Sequence, residues 1–286
     1  AAFVRKRGMF NLGGEGQFIA GAVVSAFVCF KSGLTGTPGI VASILAGTLA
    51  GAVWGAIPGI LKVTRGINEM IVTIMLNYIA IQFMGYVYSG PLSNGNTPQT
   101  PVIDRSLWLP NISPSFRLHI GFVMALILVA AVAYTLQHTS FGFEIRAVGT
   151  NPVASYYNGY SVKRLILLSF IISGAIAGLG GSIELLGKQY QLMEGFGENF
   201  GYNGVAIALI AQLNPIAVAL VSFFFGILEK DITALQTNMR VPSSVVNIIQ
   251  ALIIIFAVAG TTLMQHPELR NMFQPKFKRK EKFTNK

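Results

Sequence analysis

Cysteine occurs once in 286 residues, at position 29, so the chain holds no internal disulfide and no CxxC metal motif. A lone thiol of this kind reads as a small buried apolar side chain. Histidine occurs three times, at 119, 138 and 266, with no ligand partner at helical spacing, which leaves metal chemistry unsupported. Charge is scarce as well: only 11% of the residues are Asp, Glu, Lys or Arg, fewer than an ordinary soluble domain carries. The hydrolase signatures GxSxG and HExxH are missing, which argues against an intramembrane enzyme. The glycine clusters "GLGGS" and "GFGENFG" follow no strand and so do not form a nucleotide-binding loop.

Apolar residues dominate instead, at 52%, with 31 glycines. Residues 38–61, 118–137, 165–183 and 243–263 contain no charged side chain, and each approaches or exceeds the roughly 20 residues a helix needs to cross about 30 Å of hydrocarbon. The fold class is therefore an all-α membrane protein, a polytopic helical bundle built as one transmembrane domain over 1–286. The net charge of +10 does not point to nucleic acid, because the basic residues are not interleaved with stacking aromatics on one soluble face. A basic tail over 264–286, ending "KFKRKEKFTNK", suits membrane lipids with anionic headgroups on the cytoplasmic side. The amino end is no cleavable signal peptide, since Glu15 and several glycines interrupt its apolar run. With no initiator Met, one or more upstream spans are expected to be missing.

The first apolar stretch, "MFNLGGEGQFIAGAVVSAFVCF" (9–30), sets Asn11, Glu15 and Gln17 among glycines. Polar groups at membrane depth persist only where they face protein or a watery cavity, so a broken or interior helix is predicted. Pro38 opens the span 38–61 at a first helical turn. The next span, 66–88, has Asn68 and Glu69 at its start and Asn77 and Gln82 deeper. Residues 89–117 form the longest loop; their five prolines rule out a helix, and Trp108 is expected at headgroup level. In the span 165–187, Gly174 and Gly178 give a small-xxx-small face, and Glu184 is expected to be solvated near the outer interface. Residues 195–228 hold two apolar runs of about half a membrane thickness joined at Asn214-Pro215. They read as a pair of short or re-entrant helices, with one span kinked at Pro215 as the alternative.

Between two of these spans lies "GFEIRAVGTNPVASYYNGYSVKR" (142–164). Asn151 or Thr150 can cap a short helix with Pro152 in its first turn, and Gly159 can end it. Placing this segment on the cytoplasmic side puts 15 of the 21 Lys and Arg residues inside, in keeping with the positive-inside rule. The same topology sets 66–81 opposite 241–255, and 16–61 opposite 203–228, as a possible inverted repeat. Such repeats are typical of transport proteins.

Four segments resemble one family. "EIRAVGTNPVASYYNGYSVKRLILLSFIISGAIAGLGG" is similar to the cytoplasmic coupling loop and following helix of permease subunits of bacterial ABC importers, in the branch that handles sugars, nucleosides and branched-chain amino acids. "FNLGGEGQFIAGA" resembles that branch's early motif, and "GYNGVAIALIAQLNPIAVALVSFFFGIL" its late glycine-rich segment. "GILKVTRGINEMIVTIMLNYIA" is closer to the simple-sugar and nucleoside permeases. The likeness covers about 9–260, with two departures: "IAQLNP" where a small residue is expected near Gln212, and the absent amino-terminal span.

The resemblance implies a multi-pass protein of the bacterial inner membrane that does no bond chemistry and holds no cofactor. ATP would be bound by a partner ATPase gripping 142–164 as a coupling loop, at Glu144, Gly149, Asn151, Pro152, Ala154 and Gly159. An extracytoplasmic substrate-binding protein would deliver cargo, and a second permease subunit, forming a heterodimer, would complete the path. For a nucleoside or simple sugar, amide donors and acceptors suit the path. The candidates are Asn11, Glu15, Gln17, Asn68, Glu69 and Asn77, with Asn203 and Asn247 behind them. The competing role for each is an interhelical hydrogen bond that holds the bundle together. Alternatives are a branched-chain amino acid permease and, more remotely, an ion-coupled carrier.

Overall fold

The computed structural model describes residues 11–239, except 96 and 114–117, together with positions 248, 251, 252, 255 and 256. The basic tail 264–286, Asn247 and nearly all of the span 243–263 lie outside the described residues. So does most of 241–255, one arm of the expected repeat.

Among the described residues there are nine α-helices: α1 (Gly14–Lys31), α2 (Gly36–Arg65), α3 (Glu69–Ser89), α4 (Gly121–His138), α5 (Ser140–Thr150), α6 (Pro152–Tyr157), α7 (Val162–Glu184), α8 (Phe200–Ile210) and α9 (Pro215–Met239). Four helical stretches are long and apolar enough to cross a membrane: α2, α3, α4, and α7 with the π-helical turn Leu185–Gln189 that extends it. The protein is a polytopic helical membrane protein. The chain divides into two compact units, Ala1–Phe223 and Phe224–Lys286.

The core of the first unit is a three-helix contact between α1, α2 and α7, and glycine makes it possible. A methyl group on Gly178 would meet the Gly47 carbonyl at 2.5 Å, and one on Gly51 would meet the Gly178 Cα at 2.7 Å. Gly47 in turn abuts the Gly21 carbonyl. Lipid tails are as apolar as the helices they surround, so close backbone packing by small residues drives such association. Because α1 lies inside this contact it is buried on most sides, in agreement with its reading as an interior helix.

Among its described residues beyond α3, the proline-rich loop contains no α-helix; it makes one short 3-10 turn and packs on the segment after α7. Backbone bonds run from Thr100 N–H to Leu192 O, Ile103 N–H to Tyr190 O, and Leu109 N–H to Leu186 O, all near 2.9 Å. Trp108 stacks on Tyr190 with ring centres 3.9 Å apart. Glu184 is only partly exposed and pairs with Lys188 at 3.3 Å, so an ion pair accompanies the solvation expected of it.

Residues 195–228 form two helices, α8 and α9, broken at Gln212 and Leu213, which both adopt left-handed backbone (φ 50° and 63°). The helix is interrupted between Ile210 and Pro215, as the two-helix reading expects. Gln212 is where a small or glycine residue was expected, and the backbone there takes the conformation glycine adopts at least cost. The second helix is longer than half a membrane: α9 runs 25 residues, and its apolar part ends near Ile227.

Candidate functional site

Four of the candidate path residues gather around the start of α1. The Asn11 amide donates to Gln17 Oε1 (3.1 Å) and to Ser173 Oγ on α7 (2.9 Å), and its oxygen accepts from the Gly13 N–H. Asn77 on α3 accepts from the Gly16 N–H at 2.8 Å and donates to the Leu12 carbonyl and the Tyr202 hydroxyl. Gly16 allows that approach, since any side chain there would collide with Asn77. Asn11, Gln17 and Asn77 are each 5% exposed or less. Their polar atoms are occupied by one another and by backbone, as buried amides require.

Glu15 completes the cluster in a different way. Asn199, the residue that precedes α8, offers no side-chain cap to that helix. The Glu15 carboxylate supplies one from α1, accepting the Asn199 N–H at 2.7 Å and the Gly201 N–H at 2.9 Å. A carboxylate at a helix N-terminus satisfies unpaired donors and meets the positive end of the helix dipole.

Beside this cluster lies a cavity of about 360 Å³ between α1, α4, α7, α8 and the start of α9. Phe18, Val129, Ile176, Phe200 and Val205 give it apolar walls, and Asn11 and Ser173 are its polar side chains. Phe18 makes an edge-to-face contact with Phe200 at 5.7 Å, which sets the wall next to Glu15.

Asn68 and Glu69 are not part of this site. Asn68 caps α3 through the Met70 N–H, and buried Glu69 pairs with Lys62 at 2.7 Å, tying the end of α2 to the start of α3. Asn203 is half-buried on α8. Ser173 and Tyr202 were not singled out by sequence. Their types are unremarkable, and only the fold brings them within reach of Asn11 and Asn77.

Most of 142–164 is helical rather than loop. Thr139 caps α5 by accepting the Gly142 N–H, and Gly142 lets α5 pack against the Thr135 carbonyl of α4, so Gly142 and Gly149 do not interrupt it. Asn151 then caps α6, its side chain accepting the N–H groups of Val153 and Ala154 at 3.1 Å, with Pro152 in the first turn. Gly159, at φ 83°, ends the turn that follows. Ile145, Val148, Leu136 and Leu165 form a small core that fixes α5 to α4 and α7. Above it, Asn151 and Ala154 help line an open depression between α5 and α6, while Val153, Tyr156 and Tyr157 point outward. Glu144 and Gly149 are half-buried on α5.

Comparison with known proteins agrees with this architecture. The family described as branched-chain amino acid transport system, permease component, matches residues 2–258. The guanosine ABC transporter permease protein NupP of Bacillus subtilis is 35% identical over 91% of this chain and 76% of its own length. The nucleoside ABC transporter permease protein NupB of Lactococcus lactis is 34% identical over 89% and 73%. The glucose ABC transporter permease protein TsgB13 of Haloferax volcanii is 31% identical over 89% and 70%. No solved structure matches the chain. The chain belongs to this permease family and is a multi-pass, non-catalytic membrane subunit of a bacterial ABC importer.

Proposed function

We propose that this permease forms the translocation path for a nucleoside or a simple sugar, working with a cytoplasmic ATPase, an extracytoplasmic binding protein and a second, related permease. The observation that carries this is the electrical neutrality of the cavity lining. Its polar groups are an amide and a hydroxyl, Asn11 and Ser173, and the carboxylate beside them, Glu15, is engaged by backbone N–H groups. An amino acid cargo carries a carboxylate and an ammonium, and needs charge or free helix ends to meet them. An uncharged, hydroxylated cargo needs only amides and hydroxyls. The names of the guanosine, nucleoside and glucose relatives favour the same class.

The ATPase is proposed to grip α5 and α6. Support comes from the stiffness of that element, capped by Asn151 and packed on α4 and α7, and from the exposed ring of Tyr157 beside it. The test is uptake of radiolabelled guanosine, ribose and leucine, each offered separately to the complete importer in proteoliposomes. Guanosine or ribose is expected to be taken up; uptake of leucine alone would replace this cargo with a branched-chain amino acid.

A further inference from the structure

Three serines lie along α7, and two of them return their hydroxyl protons to their own helix. Ser169 donates to the Leu165 carbonyl at 2.8 Å and Ser182 to the Gly178 carbonyl at 3.0 Å, the ordinary arrangement where hydrocarbon offers no other acceptor. Ser173 lies between them in sequence and lines the cavity. Its oxygen accepts the Asn11 amide at 2.9 Å, and among the described residues nothing accepts its proton. Asn11 has nothing further to offer, since its amide is shared by Gln17 and Ser173 and its oxygen is held by the Gly13 N–H. The Ser173 hydroxyl is thus the one unspent side-chain donor among the described residues that line the cavity.

The rest of the lining suits the face of a flat ring. Phe200 opens α8, the helix whose first turn the Glu15 carboxylate caps, and Phe18 meets it edge to face at 5.7 Å. Gly204, one turn further along α8, leaves the wall bare: a methyl group there would meet nothing within 4 Å. A free sugar carries a hydroxyl on nearly every carbon, and each one buried without a partner is costly. A nucleobase confines its polar atoms to its edge and leaves two apolar faces, so a single donor beside aromatic walls serves it. An acyl chain would use the walls but leave the Ser173 proton unmet.

We propose that this cavity is a nucleobase site, in which the Ser173 hydroxyl donates to a carbonyl or ring nitrogen on the edge of the base while Phe18 and Phe200 pack against its ring. The Asn11 amide is then a positioning group, fixing the Ser173 oxygen so that its proton is directed at the cargo. This rests on the translocation path proposed above and narrows its nucleoside-or-sugar cargo to a nucleoside.

The test uses the complete importer. In proteoliposomes, uptake of leucine alone would refute the cargo class itself, whereas uptake of ribose without guanosine leaves that class standing and overturns the nucleobase site. Gly204→Leu fills the cavity without meeting backbone and is expected to abolish guanosine uptake with ATPase copurification retained. A labelling experiment in detergent reads binding directly. In a Cys29→Ser background, Gly204→Cys is expected to react with a maleimide, and to be protected by guanosine but not by an equal concentration of ribose. Adding Ser173→Ala is expected to raise the guanosine concentration that half-protects this thiol about three- to tenfold, and Ser173→Thr, which keeps the hydroxyl, to restore it. A serine that only holds Asn11 in place would leave that concentration unchanged. Such a result overturns the proposal, as does equal protection by ribose or a thiol at position 204 that does not react. Full guanosine uptake by Gly204→Leu would leave the cavity to lipid and overturn it as well.

Discussion

Glu15 on α1 and Gly201 in the first turn of α8 are joined by a 2.9 Å hydrogen bond between a carboxylate and a backbone N–H, across 186 positions of sequence. With the parallel bond to Asn199, it makes one helix the cap of another. Gly201 has no side chain to obstruct this, since a methyl group there would collide with the Glu15 backbone. The wall of the cavity formed by Phe200, Gly201 and Gly204 is therefore set by a residue on α1.

Replacing Glu15 tests that dependence. Glu15→Ala leaves two donors without a partner and is expected to cost about 2–3 kcal/mol, the range for hydrogen bonds to a charged group. Glu15→Gln retains an acceptor but not the charge, and is expected to cost about half as much. Thermal unfolding of the detergent-solubilised importer measures both. Equal stability of wild type and Glu15→Ala would mean that α8 is held by other contacts.

The glycine contact makes a sharper prediction about packing. Gly178→Ala places a methyl group against the Gly47 carbonyl, where both neighbours are backbone and cannot swing aside. Overpacking of this kind costs roughly 1–3 kcal/mol, and Gly178→Leu is expected to prevent assembly altogether. Gly85→Ala on α3 is the control, because a methyl group there meets nothing closer than Tyr88 at 3.7 Å. It is expected to be neutral or to gain up to about 1 kcal/mol of helix propensity. Membrane yield and monodispersity in detergent separate the three variants.

The coupling element offers a local test. Asn151→Ala removes the acceptor that holds the Val153 and Ala154 N–H groups, at a cost of about 1 kcal/mol to α6, whereas Asn151→Asp keeps the cap. If α6 is what the ATPase grips, Asn151→Ala is expected to reduce ATPase copurification several-fold and Asn151→Asp to restore it. Full copurification with Asn151→Ala would remove α6 from the contact.

How much of this was legible in the sequence follows from the range of the interactions. The cap at Asn151, the start at Pro152 and the stop at Gly159 depend on neighbours within eight residues, and local rules recover them. The interior character of α1 was legible too, because Asn11, Glu15 and Gln17 could not face lipid. Their partners were not, since Ser173 and Asn199 lie more than 160 positions away and carry no pattern of their own. The length of α9 was underestimated because Glu229, Lys230 and Asp231 end an apolar run without ending a helix.

His119, just before α4, supplies a pH dependence. Its Nδ1 accepts the Gly121 N–H at 3.2 Å, and its ring lies against Gly187 at the end of α7. Burial holds its pKa below the usual histidine value; Glu184 acts in the opposite direction, and Lys188 adds to the lowering. The folded protein thus binds this proton less readily than the unfolded chain, so stability is full above the ordinary histidine pKa of about 6.5 and declines as pH falls through the lowered folded value. Thermal unfolding of the wild-type importer is expected to weaken as pH falls below about 6.5. Replacement of His119 by Gln, which keeps an acceptor but cannot titrate, is expected to flatten that part of the decline. An identical slope in the two proteins would assign the acid sensitivity to other groups and leave His119 as packing alone.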